Sequence, residues 1–256
     1  MLASEGARRK ADATSEPAGR KGRGTRAGAA PGTRARAAQA TREAILRAAT
    51  RVFAKHGFAG GRVEQISQAA GSYDRMIYYY FGSKEALYIV VLEETYRRFN
   101  EAEAKLALDA AQPVASLQAV IRFMWAYYRK HPEFITLLNT ENLHRGRLIA
   151  KSLRAHEYSS AAVKVLGDVL ESGVRHGLFR ADVAARDVYL MIAALGYFYV
   201  SNRFTLSAFL GEKLGAADAL AHWEGFMIDA VMRTVAVSPA APALQRRPRP
   251  RPARPR

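Results

Sequence analysis

The stretch that decides the fold is Val63-Glu-Gln-Ile-Ser-Gln-Ala-Ala-Gly71, followed at once by Ser72-Tyr-Asp-Arg-Met-Ile-Tyr-Tyr-Tyr-Phe81. Its first half has apolar residues three and four positions apart, which predicts a short helix over 63–70. Gly71 can supply the positive φ that a sharp turn requires. A second short helix over 73–81 would bury Ile77 and Phe81. The pattern indicates a helix-turn-helix, whose second helix presents five side chains outward: Tyr73, Asp74, Arg75, Tyr78 and Tyr79.

The sequence on both sides of this motif also favours helix. Residues 41–57 place apolar side chains on one helical face, with Thr41 able to cap the start and Gly57 able to end it. Between residues 41 and 236 only Pro113 and Pro132 interrupt the chain. We therefore predict an all-α protein, with further helices over 83–107, 114–130, 133–143, 146–176, 184–203 and 217–236.

Positive charge is concentrated in two tails. The 256 residues carry 39 Lys and Arg against 23 Asp and Glu, a formal net charge of +16. Residues 1–40 and 237–256 each hold a net charge of +6, which leaves +4 for the middle of the chain. The last residues are Arg-Pro repeats that favour an extended polyproline II conformation. We expect the tails 1–38 and 237–256 to be disordered and a polyanion to be the partner.

Several classes of protein are excluded by what the sequence lacks. It contains no cysteine, so disulfides and cysteine-ligated metals are ruled out, and its six histidines show no ligand spacing. The longest apolar run, Val188–Val200, is shorter than the roughly 20 residues that cross a bilayer. No paired catalytic carboxylates, nucleophile elbow or phosphate loop is present. We expect a cytoplasmic protein that is not an enzyme, uses no cofactor and contacts no membrane.

A longer stretch around the motif resembles the DNA-binding domain of the TetR family of bacterial transcriptional regulators. The matching residues are Thr41-Arg-Glu-Ala-Ile-Leu-Arg-Ala-Ala-Thr-Arg-Val-Phe-Ala-Lys-His-Gly57, Val63-x-x-Ile66-x-x-x-Ala70-Gly71 and Ile77-Tyr-Tyr-Tyr-Phe-Gly-Ser-Lys-Glu-x-Leu87. The resemblance implies a three-helix DNA-binding domain over 39–99 and a helical ligand-binding and dimerisation domain over 100–236. It also implies a homodimer, a palindromic operator in double-stranded DNA and a small-molecule effector of unknown identity.

The resemblance assigns roles within the helix-turn-helix, which runs from about Arg62 to Phe81. Tyr78, Tyr80 and Lys84 fall where family members contact the DNA backbone. Arg62 replaces the usual Thr cap of the first motif helix; it cannot cap, but it can reach a phosphate. The positions at which members read bases are occupied here by Tyr73, Asp74, Arg75, Met76 and Tyr79.

Each of these assignments has an alternative. Arg75 can form a bidentate contact with guanine O6 and N7, or else an ion pair with Asp74 or a phosphate contact. Lys84 contacts a phosphate or is a solvated lysine, and Tyr80 can belong to the core. Tyr73 replaces the usual Ser cap, so either Ser72 caps the helix or Asp74 compensates through the helix dipole.

A polar cluster at Leu137–His144 marks a candidate ligand site in the second domain. Glu141 is either a polar anchor in a pocket or an i,i+4 ion-pair partner of Arg145 on the surface. Aromatic side chains such as Phe123 and Tyr127 are also candidates, although such residues are more often part of the core than ligand contacts. The full candidate set is Phe123, Tyr127, Asn139, Glu141 and Asn142.

The apolar run Val188–Val200 is apolar around its whole circumference, which predicts a helix buried on all sides. In a monomer it would be a central core helix, whereas in a dimer one face would pack on a partner. The resemblance favours the dimer, with residues 217–236 completing a four-helix interface. The expected interface residues are Leu195, Tyr197, Phe198 and Tyr199.

Two functions remain from this reasoning. The first is a dimeric, sequence-specific transcriptional regulator, a repressor rather than an activator on family grounds, that an effector releases from its operator. The alternative is a nonspecific DNA-compacting protein, which the basic tails would favour.

Overall fold

The computed structural model describes residues 31–237, with the side chains at 31, 155–156 and 158–162 left out, and this part of the chain forms nine α-helices. The sole β-pairing in that range is an isolated antiparallel bridge between Phe179 and Ala236. The all-α prediction is confirmed. The helices are α1 (Pro31–Gly60), α2 (Val63–Ala70), α3 (Asp74–Phe81), α4 (Lys84–Glu103), α5 (Pro113–Lys130), α6 (Pro132–Leu143), α7 (Ala155–Arg175), α8 (Ala185–Leu210) and α9 (Ala217–Val235).

The first helix begins earlier than the sequence pattern predicts. It starts at Pro31, whose fixed φ suits the first position of a helix. Thr41 therefore lies inside α1 rather than at its cap, and the expectation of disorder is wrong for residues 31–38. The rest of that expectation concerns residues 1–30 and 238–256, which lie outside the described part. The predicted stop at Gly57 is present as a break, with φ 67° and ψ −179°.

Three other helices differ from the predicted bounds. α7 starts at Ala155 rather than at 146, because the positive φ values of Arg145 and Gly146 interrupt the chain after α6. α8 continues to Leu210 instead of ending near 203, since no helix breaker precedes Gly211, which ends it with a φ of 69°. α4 ends slightly early, at Glu103.

The helices surround two hydrophobic cores. The first lies among α1–α4 and contains Phe53, Ile66, Ile77 and Leu87, all fully buried. The second lies among α5, α7, α8, α9 and the end of α4, with Trp125 fully buried within it. α4 contributes to both cores, and two residues beyond it, Leu137 and Leu148, belong to the first core. The predicted domain boundary at residue 99 therefore falls inside α4, and side chains from beyond it pack into the first core.

Candidate DNA-binding surface and effector domain

The turn between α2 and α3 is built as the sequence predicts. Gly71 adopts a left-handed conformation with φ 62°, and the Ser72 N–H donates to the Ser67 carbonyl at 2.9 Å. The hydroxyl of Ser67, which is buried, also donates to the carboxylate of Asp74 at the start of α3. This side-chain bond ties the first turn of α3 to α2, so the angle between the two helices is fixed from both sides of the turn.

α3 buries one face and exposes the other. Ile77 and Phe81 are buried in the first core, whereas Tyr73 is 72% exposed, Tyr79 77% and Tyr78 51%. Arg75 is exposed as well, and its guanidinium carbon lies over the Tyr73 ring, 5.4 Å from the ring centroid. The outward face predicted from the sequence is therefore present.

The alternative ion pair is not formed, because among residues 31–237 Arg75 has no carboxylate within ion-pair distance.

Three residues that were predicted to contact DNA bases or the DNA backbone pack against their own domain instead of being fully exposed. Asp74 is half-buried and accepts the Ser67 hydroxyl, while Met76 and Tyr80 are half-buried against the first core. The Tyr80 ring also meets Tyr79 edge-on, with 5.0 Å between the ring centroids. The core alternative for Tyr80 thus holds in part, and Asp74 and Met76 have limited freedom to reach DNA bases.

The caps of the two motif helices are only partly those that were expected. Gln65 supplies a cap that the sequence reasoning missed, since its side-chain oxygen accepts the backbone N–H of Arg62 at 3.0 Å. Arg62 itself makes no side-chain cap and is exposed. At α3 the N-cap residue is Tyr73, without a side-chain bond, so Ser72 does not take over the cap. Asp74 in the first turn is left to interact with the positive end of the helix.

Lys84 is neither free nor simply solvated. Its ammonium group lies 4.8 Å from the centroid of the Phe58 ring and 3.5 Å from the Ala59 carbonyl, at the end of α1. Ser83 caps α4 by accepting the Ala86 N–H at 3.0 Å. Lys84 therefore presents its charge at the N-terminus of α4, where helix N–H groups and a cation can face the same anion.

The candidate ligand residues of the second domain do not line one cavity. Phe123 and Tyr127 belong to an aromatic cluster with Phe99, whose ring centroid lies 5.4 Å and 4.9 Å from theirs. Glu141 and Asn142 border a separate cavity of about 80 Å³, too small for an organic effector. The core interpretation of the two aromatic residues is thus supported.

Glu141 performs a task that neither sequence interpretation anticipated. It is buried, and its Oε1 accepts the backbone N–H groups of Leu148 at 2.7 Å and Ile149 at 2.9 Å. It forms no ion pair with Arg145, which has a positive φ and lies beyond the end of α6. The carboxylate therefore orders the connection between α6 and α7, residues 144–154, and places Leu148 in the first core.

The same connection is attached to α4. Ser152 donates its hydroxyl to Glu93 at 2.6 Å, and Lys151 pairs with Glu85 at 2.5 Å. No sequence pattern predicts these contacts, because the partners are about sixty residues apart. They join the second domain to the helix that follows the DNA-binding motif.

Two of the expected dimer residues face the interior of their own chain. Tyr199 is 5% exposed; its hydroxyl donates to the Leu214 carbonyl at 3.0 Å, and its ring stacks on Trp223. Tyr197 is half-buried, and its hydroxyl donates to Asn139, which also accepts the Ser201 hydroxyl at 3.0 Å. Asn139 is thereby a link between α6 and α8 rather than a free ligand contact.

Of the expected interface residues, Phe198 lies on the outward apolar face of α8. Phe198 is 55% exposed, as predicted, whereas Leu195 is half-buried and its carbonyl accepts the Trp223 indole N–H at 3.2 Å. Leu190 and, on α9, Phe226 are also exposed. The prediction of a helix buried on all sides is therefore wrong for a single chain, since one side of α8 remains uncovered.

The second core contains a buried carboxylate that the sequence reasoning missed. Glu103, at the end of α4, is 3% exposed, and its Oε1 has no hydrogen-bond partner among the described residues. Burial raises the pKa of Glu103 to about 7. Its position among Lys and Ala residues in the sequence resembles an ordinary surface helix end, so no pattern signals its burial.

Within residues 31–237 there is no group of three or more His, Asp and Glu side chains that could hold a metal ion. No helix of that range is both long enough and apolar enough to cross a bilayer.

Two domain families match the chain. Residues 45–91 match the bacterial regulatory proteins of the tetR family, and residues 113–231 match the tetracyclin repressor-like C-terminal domain. The HTH-type transcriptional repressor NicS of Pseudomonas putida is 54% identical over 189 residues, which cover 74% of this chain and 89% of NicS. The chain belongs to the TetR family. It is a transcriptional regulator rather than an enzyme.

Two further comparisons agree with this assignment. The HTH-type transcriptional repressor SCO4008 of Streptomyces coelicolor is 27% identical over 153 residues, which cover 59% of this chain and 73% of that repressor. The crystal structure of a TetR transcriptional regulator from Chloroflexus aurantiacus superposes with a TM-score of 0.59 at 20% identity, covering 79% of this chain and all of that one. The structural likeness establishes the shared fold.

Proposed function

We propose that this TetR-family chain is a cytoplasmic, homodimeric repressor that binds a palindromic operator and leaves it when a small molecule binds the second domain. The observation that carries the proposal is α3, a helix fixed to α2 at its first turn that holds Tyr73, Arg75 and Tyr79 outward. The 54% identity to a protein named as a repressor supports repression rather than activation.

The exposed face of α3 supports specific rather than uniform DNA binding. In helix-turn-helix proteins the N-terminal residues of the second helix contact base edges in the major groove. Arg75 occupies such a position and has no intramolecular ion pair to break. Arg62, Tyr78 and Lys84 surround it with groups that can bind phosphates, while Asp74, Met76 and Tyr80 hold the helix in place.

The uncovered side of α8 supports dimerisation. Leu190 and Phe198 on α8 and Phe226 on α9 form an apolar surface that water would otherwise cover. Pairing two such surfaces would bring two copies of α3 to successive major grooves, about 34–36 Å apart.

The connection held by Glu141 supports a route from the second domain to α3. Leu148 and Leu137 pack in the core of the DNA-binding domain, while Asn139, two residues before Glu141, is bonded to α8. An effector that moves α6 relative to α8 would also move residues in the first core, and so change the separation of the two α3 helices.

The test is a comparison of affinities. Genomic fragments retained by the full-length protein would supply the operator, and its affinity would be compared with that for a scrambled fragment at the same salt concentration. We expect a preference of at least about a thousandfold, as for other specific DNA-binding proteins. Equal affinities would instead favour the DNA-compacting alternative, which has no need of a second domain with its own core.

A further inference from the structure

The α6–α7 connection, residues 144–154, concentrates positive charge in the second domain. It contains no Asp or Glu and has four basic residues: Arg145, Arg147, Lys151 and Arg154. Lys151 and Arg154 are paired with carboxylates, whereas Arg145 and Arg147 are exposed and have no ion pair among residues 31–237. These two charges are therefore available to an anionic partner.

The connection lies beside Lys84, the residue that presents its charge at the start of α4. Lys151 pairs at 2.5 Å with Glu85, the residue next to Lys84. The end of α6 lies against the end of α1, since a Cβ atom at Gly57 would be 3.5 Å from Cγ2 of Thr140. The α6–α7 connection thus borders the elements whose ends surround Lys84.

The two free arginines are held in place by the core of the DNA-binding domain. Arg147 directly precedes Leu148, which is buried in the first core, so its Cα stays about 3.8 Å from that of an anchored residue. The carboxylate of Glu141 accepts the Leu148 N–H at 2.7 Å and fixes the backbone there. Although the connection belongs to the second domain in sequence, its cations are attached to the first.

The backbone at Arg145 does not call for an arginine. Arg145 has a φ of 60° and is the one non-glycine residue with a positive φ among residues 31–237. This left-handed conformation is unfavourable for a residue with a Cβ atom, whereas glycine adopts it readily. A long cationic side chain therefore stands where glycine would be less strained, and such strain is typical of functional positions.

We propose that the α6–α7 connection contacts the phosphate backbone of the DNA beside each operator half-site, through Arg145 and Arg147. This inference rests on the proposed binding of an operator and adds a contact from the second domain to those of the helix-turn-helix. Arginine suits the task, because its guanidinium group stays charged and can form two parallel hydrogen bonds with a phosphate. Phosphate contacts position a protein on DNA without reading its sequence.

The salt dependence of binding is the measurement. Each phosphate contact contributes about 0.9 to the slope of log affinity against log salt. Arg145→Ala and Arg147→Ala together should therefore flatten that slope by roughly 1.8. They should also weaken binding to operator and scrambled DNA by the same factor. Titrations of the full-length protein on both DNAs at several salt concentrations give the slope and the two affinities.

A matched control removes the same charge elsewhere in the second domain. Lys105 and Lys164 are exposed and have no ion pair in the described part of the chain. Lys105 follows the far end of α4, about 30 Å along the helix axis from Lys84. Lys164 precedes Val165, which lines a cavity together with Leu108 near that same end. Lys105→Ala with Lys164→Ala should leave the slope as it is in the wild type.

Arg145→Gly separates a DNA contact from a structural role. Glycine relieves the left-handed conformation, so the thermal unfolding temperature should not fall. The slope should nevertheless flatten by about 0.9, because one phosphate contact is lost. An arginine with only a structural role would give the opposite result, a lower unfolding temperature with an unchanged slope.

Two further results would overturn the proposal. One is a double alanine variant whose slope equals that of the wild type or that of a control that has flattened equally. The other is a changed operator preference in the double alanine variant, since the connection would then read bases. Either result leaves the proposed function intact as long as the wild type still prefers its operator over scrambled DNA, whereas equal wild-type affinities would contradict the proposed function itself.

Discussion

We expect Arg75 to contribute more directly than any other side chain to the choice of operator. Arg75→Ala should cost about 1–3 kcal/mol of discrimination at one symmetric operator position, because a bidentate arginine–guanine contact supplies that amount. The measurement is competition between the operator and its single-base variants. Arg75→Lys is the matched control, since it keeps the charge but loses the bidentate geometry. A loss of affinity that is equal for all sequences would make Arg75 a phosphate contact.

Glu103 gives the protein a pH dependence of its stability. Its pKa is about 7 in the folded chain and near 4.5 when unfolded, so between these pH values the native state binds more protons. The free energy of unfolding should therefore fall as the pH rises through this window, by up to roughly 3 kcal/mol. Glu103→Gln should remove this fall and be the more stable protein at pH 8.

The check is denaturant unfolding of both proteins at pH 5 and pH 8. The difference between Glu103→Gln and the wild type should be larger at pH 8. A difference that does not change with pH would mean that Glu103 ionises normally in the folded chain.

At the scale of elements, Glu141 holds the α6–α7 connection by two hydrogen bonds to backbone N–H groups. Bonds to a charged group contribute about 1.5–3 kcal/mol, so Glu141→Ala should destabilise the protein by at least that amount. Glu141→Gln, which keeps an acceptor oxygen, should cost less. Thermal unfolding measures both, and Glu171→Ala, on the exposed surface of α7 and outside the connection, serves as the control. Equal and small effects of all three changes would contradict the role assigned to Glu141.

The uncovered face of α8 should not tolerate a charge if it pairs with a second copy of the chain. Phe198→Glu should place a charge in the proposed dimer surface and give monomers at micromolar concentration in analytical ultracentrifugation. Leu153→Glu, at a leucine that is almost fully exposed outside α8 and α9, should leave the wild-type state unchanged. A wild-type chain that is already monomeric would rule out the dimer.

The helices could be predicted better than their ends and their partners. Periodicity and glycine placement identified α2 and α3 to within a residue, because both are set by contacts a few residues apart. The predicted starts of α1 and α7 were wrong. α1 begins earlier, at a proline, and the segment before α7 is interrupted by the positive φ values of Arg145 and Gly146 and held by Glu141 through backbone N–H groups seven and eight residues further along the chain. The face of α3 was predictable from one helix, whereas the burial of Tyr199 depends on α9, which no local pattern reveals.

At the scale of the whole molecule, the first basic tail should add affinity without changing the preferred operator. Residues 1–30 carry seven Lys and Arg and precede the DNA-binding domain. Each phosphate that they neutralise contributes about 0.9 to the slope of log affinity against log salt. Deleting residues 1–30 should therefore flatten that slope on operator and scrambled DNA alike.

Salt titrations of the full-length and shortened proteins would decide the matter. An unchanged slope would mean that the tail takes no part in binding, and an altered operator preference would mean that it reads bases. About a quarter of the chain was enough to predict the family and the fold. The ligand residues could not be predicted in the same way, because a cavity is formed by residues from several helices and has no period in the sequence.

The presence of Leu137 and Leu148 in the first core bears on the engineering of hybrid regulators. A graft that exchanges DNA-binding domains at residue 99 would leave these two leucines facing a foreign core, and would leave a cavity or a clash where they had packed. A functional chimera of this chain would need either to carry residues 132–152 along with the first four helices or to choose a donor whose core accepts both side chains.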